Sequence, residues 1–490
     1  MRKLSIIFFI IIISLFLVCC NEKNIDNNDN FIPTETNDNK PEEDKIEDEK
    51  DNEIEDYSNA IFTSNNGTGD GSKDNPCALR SAINRLSSNK NRIYIIEGTY
   101  NFDSAIILNS NGRKDLYYEL IAFNNGKVIF DFGKDYRKEK IITNSFNTEK
   151  SKGIVIKGNY YYIKGITIKN AGAHGMYISG SFNKIENCIL ACNGNTGLNI
   201  SSSKNNPKNT WAHDNYILNC TSYGNYDWDR DTDQGEDADG FGAKVTAGEN
   251  NTFDGCISYN NSDDGWDLFT QQKTGAVGSS IIKNCVAFNN GYSIDYEDLK
   301  NGNGFKLGGR AIEVDHTVIN SIAFNNKANG FDDNSNPGTI TIKNCTAYNN
   351  GKRNYSMGRF LEDNDTYNST WYEGNDLMGP IYNVPKTHHV FENCISYNGG
   401  IKDSFSGTAK NCYFYNVNGK YNVFRDLAIC NSKYNLGVTY DIFNPFESLN
   451  FELNDLENIH YLLRNDDGSI NLGLFLKIKN QYSFGANLNN

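Results

Sequence analysis

The phrase Asn284-Cys285-Val286-Ala287-Phe288-Asn289-Asn290 returns as Asn344-Cys345-Thr346-Ala347-Tyr348-Asn349-Asn350 and as Asn393-Cys394-Ile395-Ser396-Tyr397-Asn398. Asn320-Ser321-Ile322-Ala323-Phe324-Asn325-Asn326 is the same phrase with Ser in place of Cys. A short apolar alternation precedes each copy, and Gly with an aromatic residue recurs after it. Short alternating strands joined by Asn and Gly turns, at a period of roughly 20 to 40 residues, are the signature of a solenoid. No stretch holds a 3.6-residue period for three turns, which excludes helical repeats.

The expected fold is all-β, a right-handed parallel β-helix in which each coil gives one rung to each sheet and equivalent residues stack about 4.8 Å apart. Asn at the same turn of successive coils can bond its neighbours as a ladder and tolerates a left-handed backbone, while Cys, Ile and aromatic residues stack inward. Counting Ser321 as a Cys position, the spacing varies from 24 to 49 residues, so some coils carry long excursions, notably 221–236 and 351–386. Excursions of that length are expected to line a cleft. A solenoid must also close its ends. Residues 75–86, with Asn75 as N-cap and Pro76 in the first helical position, read as a short N-terminal capping helix. Residues 454–464, with Leu456, Ile459 and Leu462 on one face, read as its C-terminal counterpart. Residues 57–490 are then one domain.

Outside that domain the chain changes character. Met1-Arg2-Lys3 precedes an apolar run from Ile6 to Val18, so residues 1–20 read as an export signal, too short to span a bilayer comfortably. Leu17-Val18-Cys19-Cys20 resembles a lipobox and makes Cys20 the acylated residue, an ordinary signal cleaved nearby being the alternative. Residues 21–56 hold 15 Asp or Glu against 4 Lys and read as a solvated tether. Of the total charge of −14, that tether carries −11 and the signal +2, which leaves about −5 on residues 57–490. So mild a balance argues against a nucleic-acid partner. The expected address is extracytoplasmic, membrane contact comes only through the lipid, and a monomer is expected. Ten of the 12 Cys lie after the signal, and six of these, Cys188, Cys220, Cys256, Cys285, Cys345 and Cys394, follow the same local phrase and so occupy one position of a repeat, which favours buried free thiols over disulfides.

Chemistry concentrates between Asp239 and Arg310. Asp263-Asp264-Gly265-Trp266-Asp267 places three carboxylates in five residues. Aligned on their Gly, the copies put Asp239, Asp264, Asn303 and Asn329 in one column, and Gly242, Asp267, Lys306 and Asp332 in another. On adjacent coils, Asp239, Asp263, Asp264 and Asp267 would crowd together with Lys306 one rung beyond. Such a crowd asks for a hard cation, and Ca²⁺, with its oxygen preference and loose geometry, fits best. No Cys or His joins it, and the register of an EF-hand is absent. The plainer reading is that Asp before Gly forms turns and that Lys306 is a solvated or ion-paired side chain. A Lys beside a bound cation is pushed toward its neutral form, and a neutral amine can remove a proton next to a carboxylate. Lys244 and Arg310 are the nearest candidates for pairing with an acidic substrate. Trp266 reads as core and His213 as structural.

Gly240-Phe241-Gly242-Ala243-Lys244, Asn261-Ser262-Asp263-Asp264-Gly265-Trp266-Asp267 and Gly304-Phe305-Lys306-Leu307-Gly308-Gly309 resemble the central motifs of the polysaccharide lyase family 9 pectate lyases. The resemblance runs across roughly residues 60–475. It implies a right-handed parallel β-helix, Ca²⁺ dependence and β-elimination on homogalacturonan, an acidic polysaccharide. By motif, Asp239, Asp263, Asp264 and Asp267 resemble the calcium ligands and Lys306 the base. Two other readings stay open: a glycoside hydrolase with paired Asp residues, which leaves Lys306 unexplained, and a non-catalytic carbohydrate-binding or adhesive solenoid.

Overall fold

The computed structural model describes residues 56–133, 148–227, 235–292, 302–368, 379–415 and 463–471, with the short stretches 372–373, 376–377, 423–430, 433–434 and residue 486. Residues 1–20 with Cys20, most of the tether and nearly all of the expected C-terminal helix at 454–464 lie outside the described residues. Residues Asp56–Asn490 form one compact unit.

The chain winds as a parallel β-helix whose coils each lay down three short strands. One coil supplies Phe241–Ala243, Asn251–Asp254 and Ile257–Tyr259. The next supplies Trp266–Asp267, Ser280–Lys283 and Val286–Phe288. Each strand pairs in parallel with its counterpart one coil away, and the stacks assemble into sheets of 22 and 12 strands among the described residues. Strands of only two to four residues suffice because every backbone group finds its partner on the coils above and below.

The stack that matters for function runs Met176–Ile178, Leu198–Ile200, Phe241–Ala243, Trp266–Asp267, Phe305–Lys306, Phe331–Asp332 and Tyr355–Met357. Alternation sends Phe241, Trp266, Phe305, Phe331 and Tyr355 inward, where their rings stack with centroids 4.8 to 5.0 Å apart, one per coil. Trp266 is fully buried in that ladder, as expected of a core residue. A Gly precedes Phe241, Trp266, Phe305 and Phe331, where close approach needs it, while Asn354 precedes Tyr355. A Cβ on Gly265 would sit 2.5 Å from the Gly304 carbonyl oxygen, and one on Gly304 would sit 2.6 Å from that of Gly330.

The repeated phrase itself partly reverses an expectation. Cys285 and Ala287 point into the coil, but Val286 and Phe288 point to the other face of their strand. There the rings of Tyr223, Tyr259, Phe288, Phe324 and Tyr348 stack at 4.9 to 5.0 Å, in a second cluster shared with Leu463, Ile470 and Ala486 of the C-terminal segment. The period of two forces this split, since Cys and an aromatic three places later cannot face the same way on one strand.

The two duties expected of Asn fall on different residues. Asn289, Asn325 and Asn349 take the left-handed backbone, with φ of 51°, 53° and 54°. The Asn that follows each one is buried and forms the ladder: Asn261 Nδ2 donates to Asn290 Oδ1, Asn290 Nδ2 to Asn326 Oδ1 and Asn326 Nδ2 to Asn350 Oδ1, at 3.0, 3.0 and 2.9 Å. The nine Cys among the described residues that carry side-chain detail are buried free thiols, as their spacing implied.

The N-terminal cap is shorter than expected. The helix spans Leu79–Asn84 and its N-cap is Ala78, without a side-chain cap. Asn75 and Pro76 stay outside because Cys77 is held as a strand partner, its N–H donating to the Phe62 carbonyl at 3.0 Å.

Candidate active site

Asp239, Asp263, Asp264 and Asp267 are all buried on the stack described above. The Phe241–Trp266 register sets Asp239 one coil before Asp264, and the Asp267–Lys306 register sets Lys306 directly on Asp267. One carboxylate oxygen from each of Asp239, Asp264 and Asp267 lies within 4.8 Å of the others. Asp263 is not in that trio. It adjoins it, with its Oδ1 buried and free of hydrogen bonds.

Two ammonium groups enter the cluster. Lys244 Nζ lies 2.5 Å from Asp239 Oδ2 and 3.0 Å from Asp267 Oδ2. Lys306 Nζ lies 3.0 Å from Asp264 Oδ2 and 3.6 Å from Asp267 Oδ1. Neutral groups fix the carboxylates: the Thr196 hydroxyl donates to Asp239 Oδ2 at 3.0 Å, and Asn303 donates to Asp264 Oδ1 through its backbone N–H at 2.7 Å and its side chain at 2.8 Å. Four carboxylates against two ammoniums leave two negative charges in a dry site.

That imbalance shows in the acidities. Burial pushes the Asp239 carboxyl up to about 7 against the pull of Lys244, with Asp267 and Asp264 adding to the rise. Burial and the neighbouring Asp264 push Asp263 well above the usual carboxylate range. Asp267 goes the other way, because Lys306 and Lys244 outweigh its burial. Burial works against the charge on Lys306, but Asp264, Asp267, Asp263 and Asp239 outweigh it and hold the ammonium well above its ordinary pKa. Lys244 is raised similarly, by Asp239 and Asp267 against its burial. Two carboxylates are thus driven toward protonation, as many as the lysines leave unbalanced.

The donor set fits a hard divalent cation. Asp263 Oδ1, Asp264 Oδ2 and Asp267 Oδ1 are buried oxygens without a hydrogen bond, the latter two facing Lys306 alone, and an all-carboxylate site suits Ca²⁺. One such ion would neutralise the two excess charges. The alternative of turn-forming Asp residues is poorly matched, since among the described residues none of the four accepts from a backbone N–H of its own turn, as Asp332 does from Asn334 and Asp333 from Ser335.

The other candidates separate. Lys244 is directed at the carboxylates, so its charge is engaged within the cluster. Arg310 takes a left-handed backbone, φ 59°, and its guanidinium lies 5.4 Å from the Phe269 ring, the same ring that Lys306 Nζ approaches at 5.5 Å. His213 stands on a different corner, its Nδ1 2.5 Å from Asp214 Oδ2 and its ring edge-on to Phe182, as a structural residue would. Of the long excursions, 351–386 packs Phe360 and Val384 against Ala311, beside Arg310, and the Gly379 carbonyl accepts from Gln272 Nε2 at 3.3 Å. Excursion 221–236 returns to the cluster where the Asp237 carbonyl accepts from the Thr196 hydroxyl at 3.1 Å, residues 228–234 lying outside the described set. Thr196 escapes sequence reasoning. It precedes Gly197 just as Asp239 precedes Gly240, but Leu198 breaks the Gly-aromatic signature that marks the column.

Residues 60–368 match the family model described as "Pel9A-like, right handed beta helix region". The chain is 36% identical over 406 residues to a protein named Pectate lyase L of Paenibacillus polymyxa, covering 82% of this chain and 76% of that one. It is 39% identical over 359 residues to a Pectate lyase L of Thermoclostridium stercorarium, covering 71% of this chain and 25% of that one. The crystal structure of pectate lyase Pel9A superposes with a TM-score of 0.61 at 26% identity, over 86% of this chain and 90% of that one.

Proposed function

The chain belongs to the Pel9A-like right-handed β-helix family, and on that premise we propose that it is a calcium-dependent pectate lyase that cleaves α-1,4-galacturonan by β-elimination with Lys306 as base. The observation that carries this reading is the Asp267–Lys306 register, which sets an amine against a carboxylate cluster two charges short of neutrality. The products would be 4,5-unsaturated oligogalacturonides.

In this reading Asp239, Asp263, Asp264 and Asp267 hold the Ca²⁺. When bound, the ion supplies charge stabilisation to a uronate carboxylate as negative charge develops beside it. Lys244 neutralises Asp239 and Asp267 from the far side of the cluster and fixes their orientation. Lys306, anchored between Asp264 and the face of Phe269, would present Nζ to the sugar C5 proton and accept it once a bound cation offsets the carboxylates that otherwise hold it as an ammonium. Arg310, over the same ring, is placed to pair with a substrate carboxylate.

Incubating the protein with polygalacturonate and following the absorbance of the unsaturated product, with and without chelator, tests the reading. A chelator-sensitive rise supports it, and reducing ends without that absorbance would point instead to hydrolysis. The N-terminal reading belongs to the same proposal: export of the chain and acylation at Cys20 place the enzyme at the outside of a cell envelope. Cys20→Ala should release it from membranes, and an unchanged membrane fraction would sink that part alone.

A further inference from the structure

Past Lys306 the same face of the solenoid opens into a cavity of about 520 Å³ that no step above uses. It begins at Asp332, the register partner of Lys306 on the next coil, and extends across Ser356 and Ser404, the partners on the two coils after that. Rungs about 4.8 Å apart carry it roughly 10 to 15 Å along the axis from Lys306. Three cations line it, Arg353, Arg359 and Lys402.

Its carboxylates are turned away or held by other groups. Asp333 is buried with its Oδ2 3.3 Å from His389 Nε2, and Asp403 is buried, accepting from the Ser396 hydroxyl and from the Tyr355 N–H at 3.0 Å. Asp332 accepts from Asn329 Nδ2 and the Asn334 N–H, each at 3.0 Å. None of the three cations reaches a carboxylate at ion-pair distance among the described residues, and the buried Arg353 Nε has no hydrogen-bond partner. Arg359 and Lys402 are exposed at the rim. Three cations gathered over acids that are held by other groups form a site for an anion that comes from outside.

We propose that this cavity is an anion subsite that binds the carboxylate of a uronate residue lying two to three coils from the scissile bond. The assignment rests on the lyase reading, because it needs a chain laid along the axis past Lys306. A polymer with one carboxylate per sugar then meets the calcium site at one rung and the Arg353, Arg359 and Lys402 group farther on. The subsite supplies affinity for longer chains rather than chemistry.

The test is the dependence of KM on chain length in Arg359→Gln/Lys402→Gln, with rates read from the unsaturated product. The loss should grow with length, reaching about tenfold in KM on long oligogalacturonides while kcat changes little. Arg359→Lys/Lys402→Arg, which keeps both charges, should restore most of the affinity. A loss equal at all lengths, no loss, or no rescue by the charge-conserving pair would overturn the subsite and leave the lyase reading standing. Absence of unsaturated product from the wild-type enzyme on every galacturonan would remove both.

Discussion

Asp267 and Lys306, far apart in the chain, are register partners on adjacent coils, with Lys306 Nζ 3.6 Å from Asp267 Oδ1. The rest of the site is arranged around that pair. If Lys306 is the base, Lys306→Ala should lower kcat by about 10³-fold or more while Ca²⁺ still binds. Lys306→Arg keeps the charge but removes the basicity, so it should be nearly as inactive. An active Arg variant would show that the position supplies only charge.

The excess of two negative charges predicts that Ca²⁺ stabilises the fold. The thermal midpoint should rise with Ca²⁺, by the equivalent of about 2.7 kcal/mol at a hundredfold excess over Kd. Asp264→Asn removes an oxygen from the cluster and one unbalanced charge, so most of the rise should vanish. A midpoint in the variant that climbs with Ca²⁺ as in the wild type would show that the ion binds elsewhere.

Phe305 lies between Trp266 and Phe331 in the inner ladder, 4.8 and 4.9 Å from their rings, one residue before Lys306. Phe305→Ala should cost about 3 to 5 kcal/mol of stability, measured by denaturant unfolding with Ca²⁺ held constant. Its activity should fall as well, because the cavity lies under the strand that aims Lys306.

Asn290 sits mid-ladder, accepting from Asn261 and donating to Asn326, each at 3.0 Å. Asn290→Ala leaves polar groups unpaired on both adjacent coils and should cost about 2 kcal/mol or more. Asn205, which is exposed, changed to Ala should cost nothing measurable, and equal effects would refute the ladder as a source of stability.

The fully buried His316 has its pKa lowered to about 3 by burial, with Nε2 unpartnered and Nδ1 accepting the Ser280 N–H at 3.2 Å. The unfolded chain takes up this proton near pH 6.5 and the folded chain only near 3, so the contribution is fully present above 6.5 and is lost as pH falls through that window. The loss should run at about 1.4 kcal/mol per pH unit. His316→Gln should flatten the decline of stability between pH 6 and 4, and an unchanged slope would assign it to other groups.

Much of this was legible without coordinates because a solenoid turns sequence period into spatial adjacency. The Gly-aligned columns placed Asp239 beside Asp264 and Lys306 beside Asp267, and the register pairs match. The phrase around Cys285 announced parallel strands and free thiols for the same reason. Thr196 stayed hidden because its coil lacks the aromatic, and the start of the capping helix was misplaced because the pairing of Cys77 with the first strand is not local. Lys244 could be named but not aimed, since nothing in a linear pattern says whether a long side chain turns to substrate or to its own carboxylates.

The sequence by itself determined the parallel β-helix, its inward Cys column and its ladder of Asn at the turns, and which carboxylates and which lysine lie on adjacent coils. It could do so because those features repeat once per coil and each is read from a residue's place in the period. Only the tertiary structure decided where the phrase aromatics face, which three of the four Asp residues converge, that two lysines leave two charges unbalanced, and that Arg353, Arg359 and Lys402 meet in one cavity. These depend on side-chain direction and on excursions of unequal length, which a repeat does not encode.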